Sequence, residues 1–179
     1  MMIKLEYFTK QDYDTLLQWV ESPSFLLQWA GPTFSYPLSD DQLDKYIKEA
    51  NQVNGSLLIF KAVEESSNRP IGHIGLKNID YYNRSARVGK VLVSKEARGR
   101  GIGLIMMEEI LKIAFDELNL NKVTLGVFDF NKPAIQTYKK AGFQIDGLLR
   151  DHRRFEEEYW NLYEMSILHS EWKANSRIS

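Results

Sequence analysis

The sequence predicts an α+β fold, a layered arrangement in which a sheet of about seven strands is flanked by helices. Three observations carry that expectation. Apolar and β-branched runs of strand length recur at Leu57 to Glu64, Pro70 to Asp80, Ala86 to Ser94 and Lys122 to Val127, most of them bounded by short hydrophilic turns. The segment Ile105 to Leu118 instead repeats Met107, Leu111, Ala114 and Leu118 at helical spacing, with Glu108, Glu109, Lys112, Asp116 and Glu117 mostly opposite. Between these two periodicities lies Arg98-Gly99-Arg100-Gly101-Ile102-Gly103-Leu104, where three alternate glycines mark the change from strand to helix.

The elements follow in order. Met1 to Phe8 alternates apolar and polar residues and reads as a first strand. Thr9 to Asp12 supplies an N-cap for a helix carrying Tyr13, Leu16, Leu17 and Val20. Periodicity is lost from Ser22 to Leu38, where Pro23, Gly31, Pro32 and Pro37 punctuate Phe25, Trp29, Phe34 and Tyr36, so a long aromatic loop is expected. Ser39 to Gln42 matches a capping box for a helix with Leu43, Tyr46 and Ile47. Glu65 to Arg69 is the turn of a hairpin, and Tyr82 to Arg84 is the next turn. A second helix of the glycine-loop half starts near Asn131 with Pro133 in its first turn, and Gly142 is placed to stop it. Phe143 to Asp151 and Tyr159 to Leu168 form a final antiparallel pair across Arg153 to Glu158. Residues 170–179, Lys173 to Ser179 above all, read as a fraying tail.

A chain of 179 residues fits one domain over 1–179, and this length buries about 70% of the unfolded surface. Net charge is −1, which provides no basic field for nucleic acid. Cysteine is absent, so disulfides, thiolate nucleophiles and zinc–thiolate sites are excluded. His73, His152 and His169 lack ligand spacing, and no metal is expected. No stretch has the length of a membrane span or the apolar core of a signal peptide, so the expected location is cytoplasmic.

The glycine loop carries the chemistry. Without Cβ atoms at 99, 101 and 103, successive backbone N–H groups can face one anion, at a helix start where unpaired donors and the positive dipole end coincide. A phosphate or pyrophosphate fits there, with Arg98 and Arg100 as fork donors; a solvated surface turn is the other reading. Two phosphate motifs fail. Gly103 is followed by Leu104 rather than by the Lys and Ser/Thr of a Walker loop, and Met106 stands where a dinucleotide fingerprint needs a third small residue.

Arg98-Gly99-Arg100-Gly101-Ile102-Gly103 resembles the Arg/Gln-x-x-Gly-x-Gly/Ala signature of the GCN5-related N-acetyltransferases (GNAT), and Asn131-Lys132-Pro133-Ala134 through Tyr138 to Gly142-Phe143 resembles their later Asn-x-x-Ala, Tyr and Gly-Phe pattern. The likeness runs from about Ile3 to Leu168 and is strongest to the branch that includes the ribosomal-protein alanine acetyltransferases. It implies the GNAT fold, with a mixed, mostly antiparallel central sheet, and transfer of an acetyl group from acetyl-CoA to a primary amine of a small molecule or a protein N-terminus. The alternative is an acyl-CoA-binding sensor or interaction module on the same fold. Members often form dimers, so a homodimer is one expectation for this chain.

The resemblance also implies roles. Backbone groups from Arg100 to Leu104 would hold the pyrophosphate. Strand residues Val91, Leu92 and Val93 would offer their backbone edge to the pantetheine arm and one N–H to the thioester carbonyl. Asn131 caps its own helix or bonds that arm, with Ala134 beside it. Tyr138 is the acid for the departing sulfur, since a phenol of pKa about 10 stays protonated at neutral pH. The branch's glutamate on the strand before the glycine loop is replaced by Arg87, so the proton from the amine goes to water or to a carboxylate such as Asp80 or Asp151. Trp29, Phe34, Tyr36, Tyr159 and Trp160 are expected to line an aromatic acceptor pocket rimmed by Glu156, Glu157 and Glu158 and suited to a cationic amine. Two separate satellite cores around Trp29 and Trp160 are the competing arrangement.

Overall fold

The computed structural model describes residues 2–176. Seven strands form one sheet in the order β1-β2-β3-β4-β5-β7-β6. They are β1 (Ile3–Tyr7), β2 (Leu57–Glu64), β3 (Arg69–Asp80), β4 (Ser85–Val93), β5 (Lys122–Phe128), β6 (Gln144–Phe155) and β7 (Glu158–Leu168). Every neighbouring pair is antiparallel except β4 and β5, which run parallel. The helices are α1 (Tyr13–Trp19), α2 (Pro23–Ala30), α3 (Asp40–Ile47), α4 (Ile102–Lys112), α5 (Lys132–Lys140) and α6 (His169–Ser176). Among the described residues, no helix is long and apolar enough to cross a membrane.

Two cores lie on the two faces of the sheet. On one, Met106, Met107, Ile110 and Leu111 of α4 are sealed among Ile74, Leu76, Ala86, Val88, Val123 and Leu125. Full burial of such a side chain contributes about 1.5–3 kcal/mol, so four of them anchor α4 and leave the loop before it free to serve another purpose. On the other face, Leu16, Leu26, Trp29 and Leu43 of α1–α3 gather with Ile59 and Leu92.

The parallel pair positions the site. Only Ser85, Ala86 and Arg87 of β4 pair with Lys122, Val123 and Thr124 of β5; beyond them the strands part. The cause is local: the β3–β4 register shifts between His73/Leu92 and Gly75/Gly89, placing an extra residue in β4, and Lys90 at that point has φ 52°. A bulge of this kind bends its strand and increases the twist. The result is a cleft at the carboxyl ends of two parallel strands, the place where α/β sheets accept ligands.

Several expectations need correction. The stretch after Ser22 is not a loop throughout: α2 fills Pro23–Ala30, with the Ser22 hydroxyl accepting from the N–H of Phe25 at 3.1 Å and proline in the first turn. α4 begins at Ile102, three residues earlier than its apolar stripe indicates, because the glycine loop itself becomes the first turn. Residues 169–176 are helical rather than frayed. Trp172 packs on Phe115 with ring centroids 6.1 Å apart, and the Glu171 carboxylate accepts from the Leu168 N–H at 2.8 Å and from Gln144 at 2.6 Å. The first residue of the expected β1 and the last three of the expected tail lie outside the described residues.

Candidate active site

The glycine loop closes the end of β4. Gly99 and Gly101 take φ 73° and 77°, a left-handed conformation that a side chain strains, and Gly101 is the N-cap of α4. Among the described residues the N–H groups of Gly101, Ile102 and Gly103 meet no backbone acceptor, so three donors at a helix start face outward together. A Cβ at Gly101 would meet nothing within 4 Å, and one at Gly103 would make only ordinary contacts with Thr137 and Val93. Packing therefore does not demand these glycines; the positive φ favours one at 101, and the lack of side chains leaves the loop backbone open to a close-approaching ligand.

The two arginines separate. Nε of Arg98 donates to the Val93 carbonyl at 3.1 Å, which folds the guanidinium back over the end of β4, beside the loop. The Arg100 guanidinium instead pairs with Glu64 of β2 at 2.8 Å, and Glu64 is further bound by the Ser67 hydroxyl at 2.6 Å. Those two partners hold the Glu64 carboxyl below its usual range. Arg100 as a phosphate-directed cation is thus corrected to a strut between the loop and β2.

Across the cleft, Asn131 is the N-cap of α5 and accepts from the Ala134 N–H at 3.4 Å, a long bond that leaves its amide N–H groups available. Ala134 packs at the edge of the larger core. Tyr138 is buried in that core with its ring 6.3 Å from Phe143. Its hydroxyl has no hydrogen-bond partner among the described residues and is not sealed, so it is an available donor. Burial pushes its pKa up, which keeps it protonated. Strand residues Val91 and Val93 turn their side chains to the α4 core and Leu92 to the other, leaving only backbone on the edge that faces the cleft.

The carboxylate absent from β4 is present in space. Arg87 makes a two-pronged ion pair with Glu164 of β7, at 2.7 and 2.8 Å, crossing above Gly126 of β5, where a Cβ would stand 2.6 Å from the guanidinium. No local pattern reveals this pairing, because it joins residues on strands two apart in the sheet and distant in sequence. Asp80 is spent on a turn, accepting from the backbone and side-chain amides of Asn83, both at 2.8 Å. Asp151 lies in an open groove of about 990 Å³ lined by Leu148, Leu149, Arg150, Asp151, His152 and Asn161, where β6 bulges away from β7.

The single aromatic pocket is not formed. Trp29 stacks on Phe34 with centroids 6.0 Å apart and meets His73 edge-on at 5.4 Å. Trp160 is held instead among Phe128, Phe130 and Phe155, at the carboxyl end of β5 and the start of β7. Tyr36 turns outward and donates to the Glu21 carbonyl at 3.3 Å, and Tyr159 is exposed. Glu157 pairs with Arg154 in the β6–β7 turn. Trp29 and Trp160 therefore belong to two clusters, the second arrangement set out above. His73, unmarked by any sequence motif, joins the first cluster: its Nδ1 is 2.8 Å from the Lys90 carbonyl, which can only accept, so the proton sits on Nδ1 and the bulge is braced from β3. Burial lowers the His73 pKa to about 4.

Comparison with known proteins agrees with this geometry. A family model described as the acetyltransferase (GNAT) family matches residues 24–143. An uncharacterized N-acetyltransferase, p20, of Bacillus licheniformis is 27% identical over 165 residues, 90% of each chain. YdaF of Bacillus subtilis, a candidate ribosomal N-acetyltransferase, is 31% identical over 103 residues, 58% of this chain and 56% of its own. The crystal structure of a spermidine N-acetyltransferase from Vibrio cholerae in complex with CoA and spermine superposes with a TM-score of 0.83 at 22% identity, covering 96% of this chain and 98% of that one. Among the described residues, no group of side chains is arranged to hold a metal ion.

Proposed function

The chain belongs to the acetyltransferase (GNAT) family and transfers an acetyl group from acetyl-CoA to a primary amine, and from that premise we propose how its own residues divide the work. The single observation that carries the assignment is the parting of β4 from β5 with the glycine loop on one lip and Asn131 with Tyr138 on the other.

Acetyl-CoA supplies the acetyl group as a thioester. The N–H groups of Gly101, Ile102 and Gly103 receive its pyrophosphate, with the Arg98 guanidinium alongside, whereas the Leu104 N–H, expected to join them, already donates to the Gly101 carbonyl at 3.1 Å. The unpaired β4 edge from Val91 to Val93 aligns the pantetheine arm and directs one N–H at the thioester carbonyl oxygen, where negative charge grows. Asn131 bonds the arm from the opposite lip, and Ala134 leaves room for it. In the reaction the amine nitrogen forms a bond to the acetyl carbon and loses a proton to solvent, while the carbon–sulfur bond breaks. Tyr138 gives its proton to the departing sulfur and regains one from solvent. Glu164 is committed to Arg87 and takes no part in proton transfer.

The chain works as one domain in the cytoplasm, where acetyl-CoA is supplied, with no nucleic-acid partner. A second copy covers the β6 edge, where Ile145, Leu148 and Leu149 are each about two-fifths exposed. Loss of catalysis in favour of acyl-CoA sensing is the second reading, motivated by the arginine at position 87; the free Tyr138 hydroxyl favours the enzyme. Measurement of thiol release from acetyl-CoA across an amine panel, with the acetylated product weighed by mass spectrometry, tests the reading. Tight CoA binding with no amine-dependent thiol release would favour the sensor.

A further inference from the structure

Next to the proposed thioester site, the face of the sheet under α2 and α3 contains an arrangement that acetyl transfer alone does not use. Gly75 of β3 and Gly89 of β4 stand opposite each other and leave a patch of sheet without side chains. A Cβ on Gly75 would come 3.6 Å from the Tyr46 hydroxyl, and one on Gly89 would come 3.9 Å from the Lys77 ammonium. The bulge that opens the cleft also sets Lys90 on this face, where its ammonium lies 4.9 Å from the Tyr46 ring centroid and 5.7 Å from that of Phe34. Three donors thus converge over a glycine floor.

Among the described residues, none of them has an acceptor. Among the described residues, no carboxylate pairs with Lys77 or Lys90. The charged neighbours that act on them are cations: Lys77 on Lys90, and Arg87 on Lys77. Lys90 is only 9% exposed, yet its ammonium is not fully sealed from solvent. The aromatic faces of Phe34 and Tyr46, which would suit a cationic amine, are already occupied by the protein's own cation. A polyamine brought here would meet two unpaired positive charges, whereas an anionic group would meet three donors at once.

We propose that this patch is an acceptor subsite for an anionic group, so that the amine acetylated by this chain carries a carboxylate or phosphate a few bonds from the reacting nitrogen, held by Lys90, Lys77 and the Tyr46 hydroxyl. The proposal rests on the acetyltransferase reading above and adds the class of acceptor. Lys90 immediately precedes the Val91 to Val93 edge, so the anion is gripped beside the place where the amine must reach the thioester.

The test compares acceptors with and without the anionic group: L-leucine with L-leucinamide, O-phosphoethanolamine with ethanolamine, and spermidine as the polycation. The wild-type chain is expected to use one anionic member at least about tenfold better than its neutral partner, mainly through KM, and to prefer it to spermidine. The carboxylate and phosphate pairs show which anion the patch prefers. Lys90→Gln should abolish the preference and Lys90→Arg should retain it. Gly75→Ala, whose added methyl makes only ordinary contacts in the fold, should weaken the anionic acceptor alone. Calorimetric titration of the same acceptors into the CoA-saturated chain reads binding without turnover. Loss of the anionic acceptor's affinity in Lys90→Gln supports the subsite even if no amine is acetylated, an outcome that would instead strike the acetyltransferase reading. Spermidine as the preferred acceptor, or equal loss of charged and neutral acceptors in Lys90→Gln, would overturn the proposal.

Discussion

Replacing Lys90 by methionine removes a charge and keeps an unbranched stem between the rings of Phe34 and Tyr46. Burial lowers the Lys90 ammonium from 10.5 to about 8. At 1.36 kcal/mol per pH unit, that difference is about 3 kcal/mol of preference for the neutral form in the folded chain. Attraction to the two ring faces returns roughly 0.5–2 kcal/mol, leaving a net cost of about 1–2.5 kcal/mol at neutral pH. The sign follows from the depressed value: the folded chain holds this proton less tightly than the unfolded one, so stability from this group is full above 10.5, is lost as pH falls toward 8, and stays lost below it. Lys90→Met should therefore be the more stable protein at pH 7, by about 1–2.5 kcal/mol, and the gain should shrink as pH rises from 8 to 10.5. Urea unfolding of both proteins across that range measures it. A variant less stable than wild type at pH 7, or a difference that does not change with pH, would refute the reasoning. A desolvated cation kept at such a cost is what a binding role for Lys90 requires.

Three further outcomes follow from the site. Gly101→Val should lower CoA affinity by roughly 100-fold or more by calorimetry, because the position must stay at positive φ and open to the pyrophosphate; unchanged affinity in a folded variant would remove the loop from the site. Tyr138→Phe should lose about 10²-fold or more in turnover with CoA affinity intact; full turnover at every pH would make Tyr138 a packing residue. His73, with its pKa lowered from 6.5 to about 4, stabilises the fold fully above 6.5 and loses that contribution as pH falls to 4, on the order of 3 kcal/mol. His73→Leu should flatten the acid limb of the stability curve over that window, and an unchanged slope would contradict the buried neutral imidazole.

The strand–glycine–helix order and the Asn131 to Phe143 block were legible because both are local: chain neighbours supply the turn, the cap and the donors. What was hidden depends on pairing between distant strands. Arg87 looks like the loss of a carboxylate until β7 brings Glu164 beside it. Lys90 looks like an ordinary strand lysine until the bulge turns it under α3. α2 was concealed by Pro23, which breaks a helix in its interior but starts one when a serine caps it from the preceding position. The aromatic residues of the two expected pocket walls share composition, yet the sheet carries them to separate clusters, and periodicity holds no information on that separation.

The central claim is that the lips of the β4–β5 cleft grip acetyl-CoA, and a crystal structure of the chain with CoA tests it most directly. The pyrophosphate should lie on the N–H groups of Gly101 to Gly103, the pantetheine arm along Val91 to Val93, and the sulfur within hydrogen-bond reach of the Tyr138 hydroxyl. CoA lodged in the groove beside Leu148 and Asp151, or a sulfur remote from Tyr138, would contradict it.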